Sequence, residues 1–118
     1  MGKAMLIYLT KAAEVVTEPL DVGEARFNLV DVVSRVQDAP FTAGVAEIWK
    51  SAPVDFEYDD DGAVCYMLEG EITLTSDGQT YSFLPGDVVY IAQTKDLVVY
   101  WSTEGYGKFF YVTYPHWR

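Results

Sequence analysis

The sequence predicts an all-β fold, a sandwich or barrel of short strands preceded by an irregular N-terminal arm. Three observations carry this expectation. Val, Ile, Thr, Tyr, Phe and Trp, the residues that suit a pleated, half-buried surface, number 46 of 118. Turn signals built from Gly, Pro and Asp separate short apolar runs at roughly ten-residue spacing, the rhythm of sandwiches and barrels. No long helical period, internal repeat or low-complexity stretch competes with that pattern.

Residues 1–40 read as an arm that packs on the barrel of its own subunit or a partner's, and residues 41–118 as the barrel. Within the arm, Lys11 to Val16 fits a helical turn or a strand equally well. Phe27 to Val33 is apolar at mixed spacing and stays ambiguous. Beyond it, Phe41 to Trp49 is the first strand and Ala63 to Leu68 the second, ending at Glu69-Gly70. Glu71 to Thr75 and Thr80 to Leu84 form the clearest pair. Asp77-Gly78 between them is a preferred dipeptide of the two-residue type I′ hairpin turn. That turn sets Leu74 opposite Tyr81, Ile72 opposite Phe83, Thr73 opposite Ser82 and Thr75 opposite Thr80. One face is then apolar and the other hydroxylated, as a sheet with one buried face requires. Pro85-Gly86-Asp87 breaks the chain, and Val88 to Ala92, Leu97 to Trp101 and Lys108 to Tyr114 complete the strands.

Composition excludes several functions. The formal net charge is −10, from 18 acidic and 8 basic side chains, so the clustered Lys and Arg that hold phosphates are missing and nucleic acid is not an expected partner. No apolar run approaches the roughly 18 residues of a membrane span, and the N-terminus lacks a secretory pattern. Met1-Gly2 opens like a myristoylation signal, but Leu6 stands where that signal wants Ser or Thr. One cysteine, Cys65, excludes an internal disulfide and suits a reducing cytoplasm. One histidine, His116, rules out most histidine-based metal sites and triads.

Three pieces carry a resemblance: Tyr66-Met67-Leu68-Glu69-Gly70-Glu71, the Asp77-Gly78 turn, and Leu84-Pro85-Gly86-Asp87-Val88-Val89-Tyr90-Ile91. Together at this spacing they resemble the core of a cupin, over about residues 41 to 114. The end of the chain, Phe110-Tyr111-Val112-Thr113-Tyr114-Pro115-His116-Trp117, and the upstream Phe27-Asn28-Leu29-Val30-Asp31-Val32 are similar to the branch typified by ethanolamine-utilisation protein Q. The resemblance implies a cupin-type double-stranded β-helix, a small jelly-roll barrel. Metal-binding cupins place two histidines two apart and then a glutamate seven residues before the glycine matched by Gly70, a position held here by Ala63. The histidine positions fall on Phe56 and Tyr58 or, with a loop one residue different, on Glu57 and Asp59. The later histidine position is Leu97, and the asparagine position four beyond it is Trp101. The usual tri-histidine, one-glutamate site is therefore not expected, and no metal or cofactor is assigned.

By the same alignment Phe56, Tyr58, Cys65, Met67, Leu97 and Trp101 face the barrel interior, with Trp49 as a further wall residue. They either line a small-ligand pocket or fill the barrel as core. An acidic, aromatic pocket suits an amine by cation–π contact. Candidate acid–base groups are Glu47, which shares a strand face with Val45 and Trp49, together with Glu57, Tyr58 and Tyr90. Asp55, Glu57, Asp59, Asp60 and Asp61 are read as a solvated loop before a strand, since they lack the calcium-loop signature. Cys65 is expected to pack as a small hydrophobe, and His116 to sit exposed near the end.

The expected function is a metal-independent barrel binding a small organic molecule, an amine by the chemistry above. The alternatives are a metal-independent enzyme using a lumenal Glu/Tyr pair, and a structural or assembly barrel. A homodimer is expected from surplus hydrophobicity, with Phe27, Leu29, Val30, Val32, Val33 and Val36 joined by Met5, Leu6, Ile7, Tyr8 and Leu9.

Overall fold

A computed structural model describes residues 7–118. The Met1-Gly2 pair and the Met5 and Leu6 of the dimer argument lie outside the described residues. Among the described residues there are ten strands, with one short 3₁₀ turn before β1 and another between β2 and β3: β1 (Glu18–Pro19), β2 (Phe27–Val33), β3 (Thr42–Trp49), β4 (Val54–Glu57), β5 (Gly62–Gly70), β6 (Ile72–Ser76), β7 (Gln79–Phe83), β8 (Val88–Ile91), β9 (Val98–Ser102) and β10 (Tyr106–Tyr114). They make two antiparallel sheets, β1-β2-β3-β10-β5-β8 and β4-β9-β6-β7. This is the two-sheet jelly roll that the resemblance implies. No helix among the described residues is long and apolar enough to cross a membrane.

The Asp77-Gly78 turn fixes the β6–β7 register as the sequence requires. Both residues have positive φ, 50° and 73°, and Ile72, Thr73, Leu74 and Thr75 sit opposite Phe83, Ser82, Tyr81 and Thr80. Ile72, Leu74 and Phe83 enter the core, but Tyr81 stays exposed. β7 is the edge of its sheet, so no neighbouring strand covers Tyr81.

The arm is less separate than expected. Lys11 to Val16 contains a single 3₁₀ turn, Ala12–Glu14. Phe27–Val33, the ambiguous stretch, is a strand paired along β3 with an irregularity between Asp31 and Val33. Its spacing looked mixed because both faces are apolar: Phe27 and Leu29 enter the core while Val30 takes the other side. This corrects the dimer argument, because Phe27 and Leu29 are buried within their own barrel and are not available to a partner. Ser34 then caps a 3₁₀ turn reciprocally with Gln37.

The acidic stretch also needs correction. Val54–Glu57 is a strand paired with β9, not a loop, because Val54 and Phe56 turn to the core while Asp55 and Glu57 face water. Between the sheets, Trp101 stacks on Phe109 at 4.8 Å between ring centroids and 21° between planes. Phe56 and Phe83 meet the same indole edge-on. Edge and stacked pairs of this kind add about 0.5–1.5 kcal/mol each beyond area burial.

A candidate ligand cavity in the barrel

The core does not close completely. A cavity of about 120 Å³ lies between the sheets, and its walls follow from period-two alternation. On β4 and the residue beyond it, Phe56 and Tyr58 turn inward. Asp61, Ala63 and Cys65 share one parity leading into β5, as do Phe109, Tyr111 and Thr113 on β10. Trp101 comes from β9, and Trp117 from the tail beyond β10. The open choice of loop length is thereby resolved: Phe56 and Tyr58 point in. Asp59 instead uses Oδ1 to accept the Asp96 N–H at 2.7 Å, where Asp96 has a left-handed backbone. Glu57 stands at the rim, exposed.

The tail is fixed by Asp31 on β2. Its Oδ1 accepts from the Tyr111 hydroxyl at 2.6 Å and from Trp117 Nε1 at 2.9 Å, and its Oδ2 accepts from Arg118 Nε at 2.8 Å. Gly44 makes this possible, because a Cβ there would strike the Tyr111 hydroxyl and the Val30 carbonyl. His116, expected to be exposed, is instead half-buried with Nδ1 at 2.7 Å from Thr42 Oγ1 and Nε2 at 2.8 Å from the Ala39 carbonyl. Tyr111's pKa is raised by burial first and by the Asp31 hydrogen bond second, so its hydroxyl stays protonated.

Three polar residues, Trp101, Thr113 and Asp61, line the cavity. Trp101 Nε1 and Thr113 Oγ1 are fully buried and make no hydrogen bond. The Trp101 N–H acts to lower the pKa of the Tyr58 hydroxyl, against the rise that burial causes. Asp61 is 9% exposed. Burial, and then the charge of Asp60, push its carboxyl up from 3.8 to about 6. No cation offsets this, since the ion pairs among the described residues are Lys50–Glu104, Lys108–Glu69 and Arg118–Asp31. Tyr58 is raised chiefly by burial. Burial holds the Cys65 thiol at about 12, which keeps it an unreactive packing group.

Several residues singled out in the sequence lie elsewhere. Glu47 is on the outer face of the six-stranded sheet, since its neighbours Ala46 and Ile48 take the core side. It accepts from Thr17 Oγ1 at 2.5 Å and from the Tyr106 hydroxyl. That Glu/Tyr pair is outside the lumen and already satisfied. Trp49 is on the same outer face, against Tyr106 and beneath Arg26, so it is not a cavity wall. Tyr90 projects from the outer side of β8 and is largely exposed. Met67 has the inward parity but is sealed in the core away from the cavity. Leu97 lines a different, open cleft of about 660 Å³ where the β7 and β8 edges splay apart.

What the alignment could not supply were Asp61, Thr113 and the β10–tail wall. The signal was present: Asp61 has the parity of Ala63, Cys65 and Met67, and Thr113 that of Phe109 and Tyr111. The cupin ligand positions fit no histidine-type metal centre, because Phe56, Tyr58, Ala63, Leu97 and Trp101 offer rings and alkyl groups there. Among the described residues no three His, Cys, Asp or Glu side chains are grouped to hold a metal ion.

Comparison with known proteins finds a family match over residues 2–118, to the family described as ethanolamine utilisation protein EutQ. The EutQ protein of Clostridium difficile superposes with a TM-score of 0.80 at 22% identity, over 90% of this chain and 78% of that one. The ethanolamine utilization protein q of Salmonella typhimurium LT2 gives 0.80 at 22% identity, over 89% and 83%. Ectoine synthase from P. lautus gives 0.74 at 17% identity, over 93% and 79%. At these identities the structural likenesses are of fold. No curated protein matches the sequence.

Proposed function

The chain belongs to the ethanolamine utilisation protein EutQ family, and from that premise we propose that its barrel binds a small amine, without a resident metal. The observation that supports this reading is that Asp61, Trp101 and Thr113 line one half-open, aromatic-walled cavity. A buried polar group without a partner costs about 1–3 kcal/mol, and Trp101 and Thr113, whose Nε1 and Oγ1 have none, line the same cavity as Asp61. The Asp61 carboxylate calls for a cation, and aromatic faces favour an ammonium. Trp101 Nε1 calls for an acceptor, and the Thr113 hydroxyl takes either role.

The cavity limits the size of the guest. An engineered apolar cavity of about 150 Å³ holds benzene, and this one is about 120 Å³. Ethanolamine, the compound in the family's name, joins an ammonium to a hydroxyl by a short link and falls within that volume. The acidity of the chain and the buried Cys65 go with a cytoplasmic protein that has no nucleic-acid partner.

Titration calorimetry and ligand-observed NMR with ethanolamine, ethylamine and ethanol test the reading. We expect one site for ethanolamine, weaker binding of ethylamine and none of ethanol. The affinity should persist in excess chelator, with no stoichiometric Fe, Mn, Ni or Zn in the purified protein. Asp61→Asn should weaken ethanolamine at least tenfold, and Ala63→Leu, which fills the cavity, should abolish binding. Failure of both amines at millimolar concentration, or binding indifferent to both substitutions, would refute the proposal.

A further inference from the structure

The two sheets have four edge strands between them, and the four are not alike. β1 and β8 bound the six-stranded sheet, β4 and β7 the other. An edge strand presents unpaired backbone groups, which folded proteins guard with charge, proline or short length. β1 is only Glu18-Pro19. β4 carries Asp55 and Glu57 on its exposed face. β7 (Gln79–Phe83) and β8 (Val88–Ile91) have no charge, no proline and no register break. These two unguarded edges border the open cleft of about 660 Å³. Leu74, Ile91, Leu97 and Val99 give the cleft an apolar lining, and its charged lining residues are Asp77 and Asp87.

We propose that the β7 edge takes up an extended, basic peptide segment of another protein, which adds as a further strand to the four-stranded sheet. The free backbone groups follow from register. Ser76 and Gln79 close the two-residue hairpin, so every second pair from there, Leu74–Tyr81 and Ile72–Phe83, exchanges hydrogen bonds with β6. The N–H and C=O groups of Thr80 and Ser82 therefore point away from β6, to the open side. Tyr81 has the inward parity of Phe83 but is 57% exposed, because no strand lies beside it. An added strand gives Tyr81 a lateral neighbour and turns its own alternate side chains toward the apolar lining of the cleft. Charge selects the partner. Asp77, in the turn before β7, and Asp87, in the turn after it, bracket the strand. Among the described residues no lysine or arginine lines the cleft, and the chain carries −10 overall, so a basic segment is attracted and an acidic one repelled. Five paired residues span about 17 Å at roughly 3.4 Å each, so basic residues about six positions apart fall near the two aspartates. β8 is shorter and has an aspartate at one end only.

Fluorescence anisotropy tests this with a labelled, capped peptide in which alternating valines and threonines, valine first and last, lie between two terminal lysines, so that it reads alike in both directions. Saturable binding at micromolar peptide is expected. Residues directly opposite share a face, so the threonine nitrogens pair with Thr80 and Ser82 while the valine nitrogens face away. Methylating the threonine nitrogens should abolish binding, and methylating the valine nitrogens should leave most of it. Asp77→Asn with Asp87→Asn keeps a turn that asparagine also favours and keeps the acceptor for the Leu84 N–H. This pair should weaken the lysine peptide by about fivefold and leave a glutamine-ended peptide unaffected. Thr80→Pro removes an edge N–H at a place where proline is tolerated and should abolish binding. In hydrogen exchange the Thr80 and Ser82 amides should be open in the free chain and slowed by the peptide. No binding to the folded wild-type chain at millimolar peptide, equal loss from the two methylations, or protection confined to β8 would each overturn the proposal. Protection of the same amides that grows with protein concentration, without peptide, would assign the edge to a second copy and overturn it as well. None of these readouts needs a ligand in the barrel cavity, so they succeed or fail separately from amine binding.

Discussion

Replacing Asp61 by Asn should make the ligand-free protein more stable at neutral pH. The folded chain holds this carboxyl in a nearly closed place, beside Asp60 and with no cation to offset it. The rise from 3.8 to about 6, at about 1.4 kcal/mol for each tenfold change in proton affinity, sets a ceiling of about 3 kcal/mol. Solvent reaches the carboxyl at the cavity mouth and screens it, so about 1–2 kcal/mol is the expected gain. The sign follows from linkage. The folded state binds the Asp61 proton more tightly than the unfolded chain, so between pH 3.8 and about 6 stability falls as pH rises. The penalty is absent below that window and complete above it. Urea unfolding of both proteins from pH 3.5 to 8, with m-values checked for constancy, reads the difference directly. The Asp61→Asn advantage should be near zero at pH 3.5, climb through the window and level off above it. A difference that is flat with pH, or a variant less stable at pH 7.5, would refute the account of a buried, uncompensated carboxylate.

Asp31→Ala should cost about 3 kcal/mol in urea unfolding, since it leaves the Tyr111 hydroxyl and Trp117 N–H without their acceptor; an unchanged midpoint would show that the tail does not depend on this carboxylate. Gly70→Ala and Gly78→Ala make a matched pair, both at positive φ, 77° and 73°. The Gly78 substitution meets open space and should cost about 1 kcal/mol for the left-handed backbone alone, whereas a Cβ at Gly70 runs into the Tyr106 carbonyl and should cost several times as much, so equal losses by thermal or urea unfolding would contradict the packing described.

Local signals made much of the fold legible. The Asp77-Gly78 turn fixes strand register without tertiary help, because positive φ at both positions is a property of the dipeptide. The β2 strand was not legible for the opposite reason. Phe27 and Leu29 face one layer and Val30 the other, so no alternation shows until the second layer is known. Val54–Glu57 hid behind Asp55 and Glu57, which suggest a loop until β9 is seen beside them. At the cavity, the matched positions brought Phe56, Tyr58, Cys65 and Trp101 together. They misplaced Glu47 and Trp49 because parity places two residues on one face without saying which face is the core. Asp61 was lost in a run of acids, although its spacing from Ala63 and Cys65 is even.

The same parity carries the argument for a site. A core that merely tolerated a void would line it with alkyl and aromatic groups, as engineered cavities that remain dry do. Here Trp101 and Thr113, whose indole N–H and hydroxyl are buried without partners, and Asp61 come from three different strands or strand ends and line one volume. Each alone is a small defect of the kind a folded domain carries a few of. Their convergence is not expected of independent defects, and removal of the costliest of them should raise stability. A group that lowers stability where it stands, in a core otherwise closed by aromatic stacking, is what a binding site looks like before its ligand arrives. On the proposed reading, in a cupin that has rings and alkyl groups where histidines would bind metal, the carboxylate of Asp61 would offer a counter-charge to an incoming ammonium.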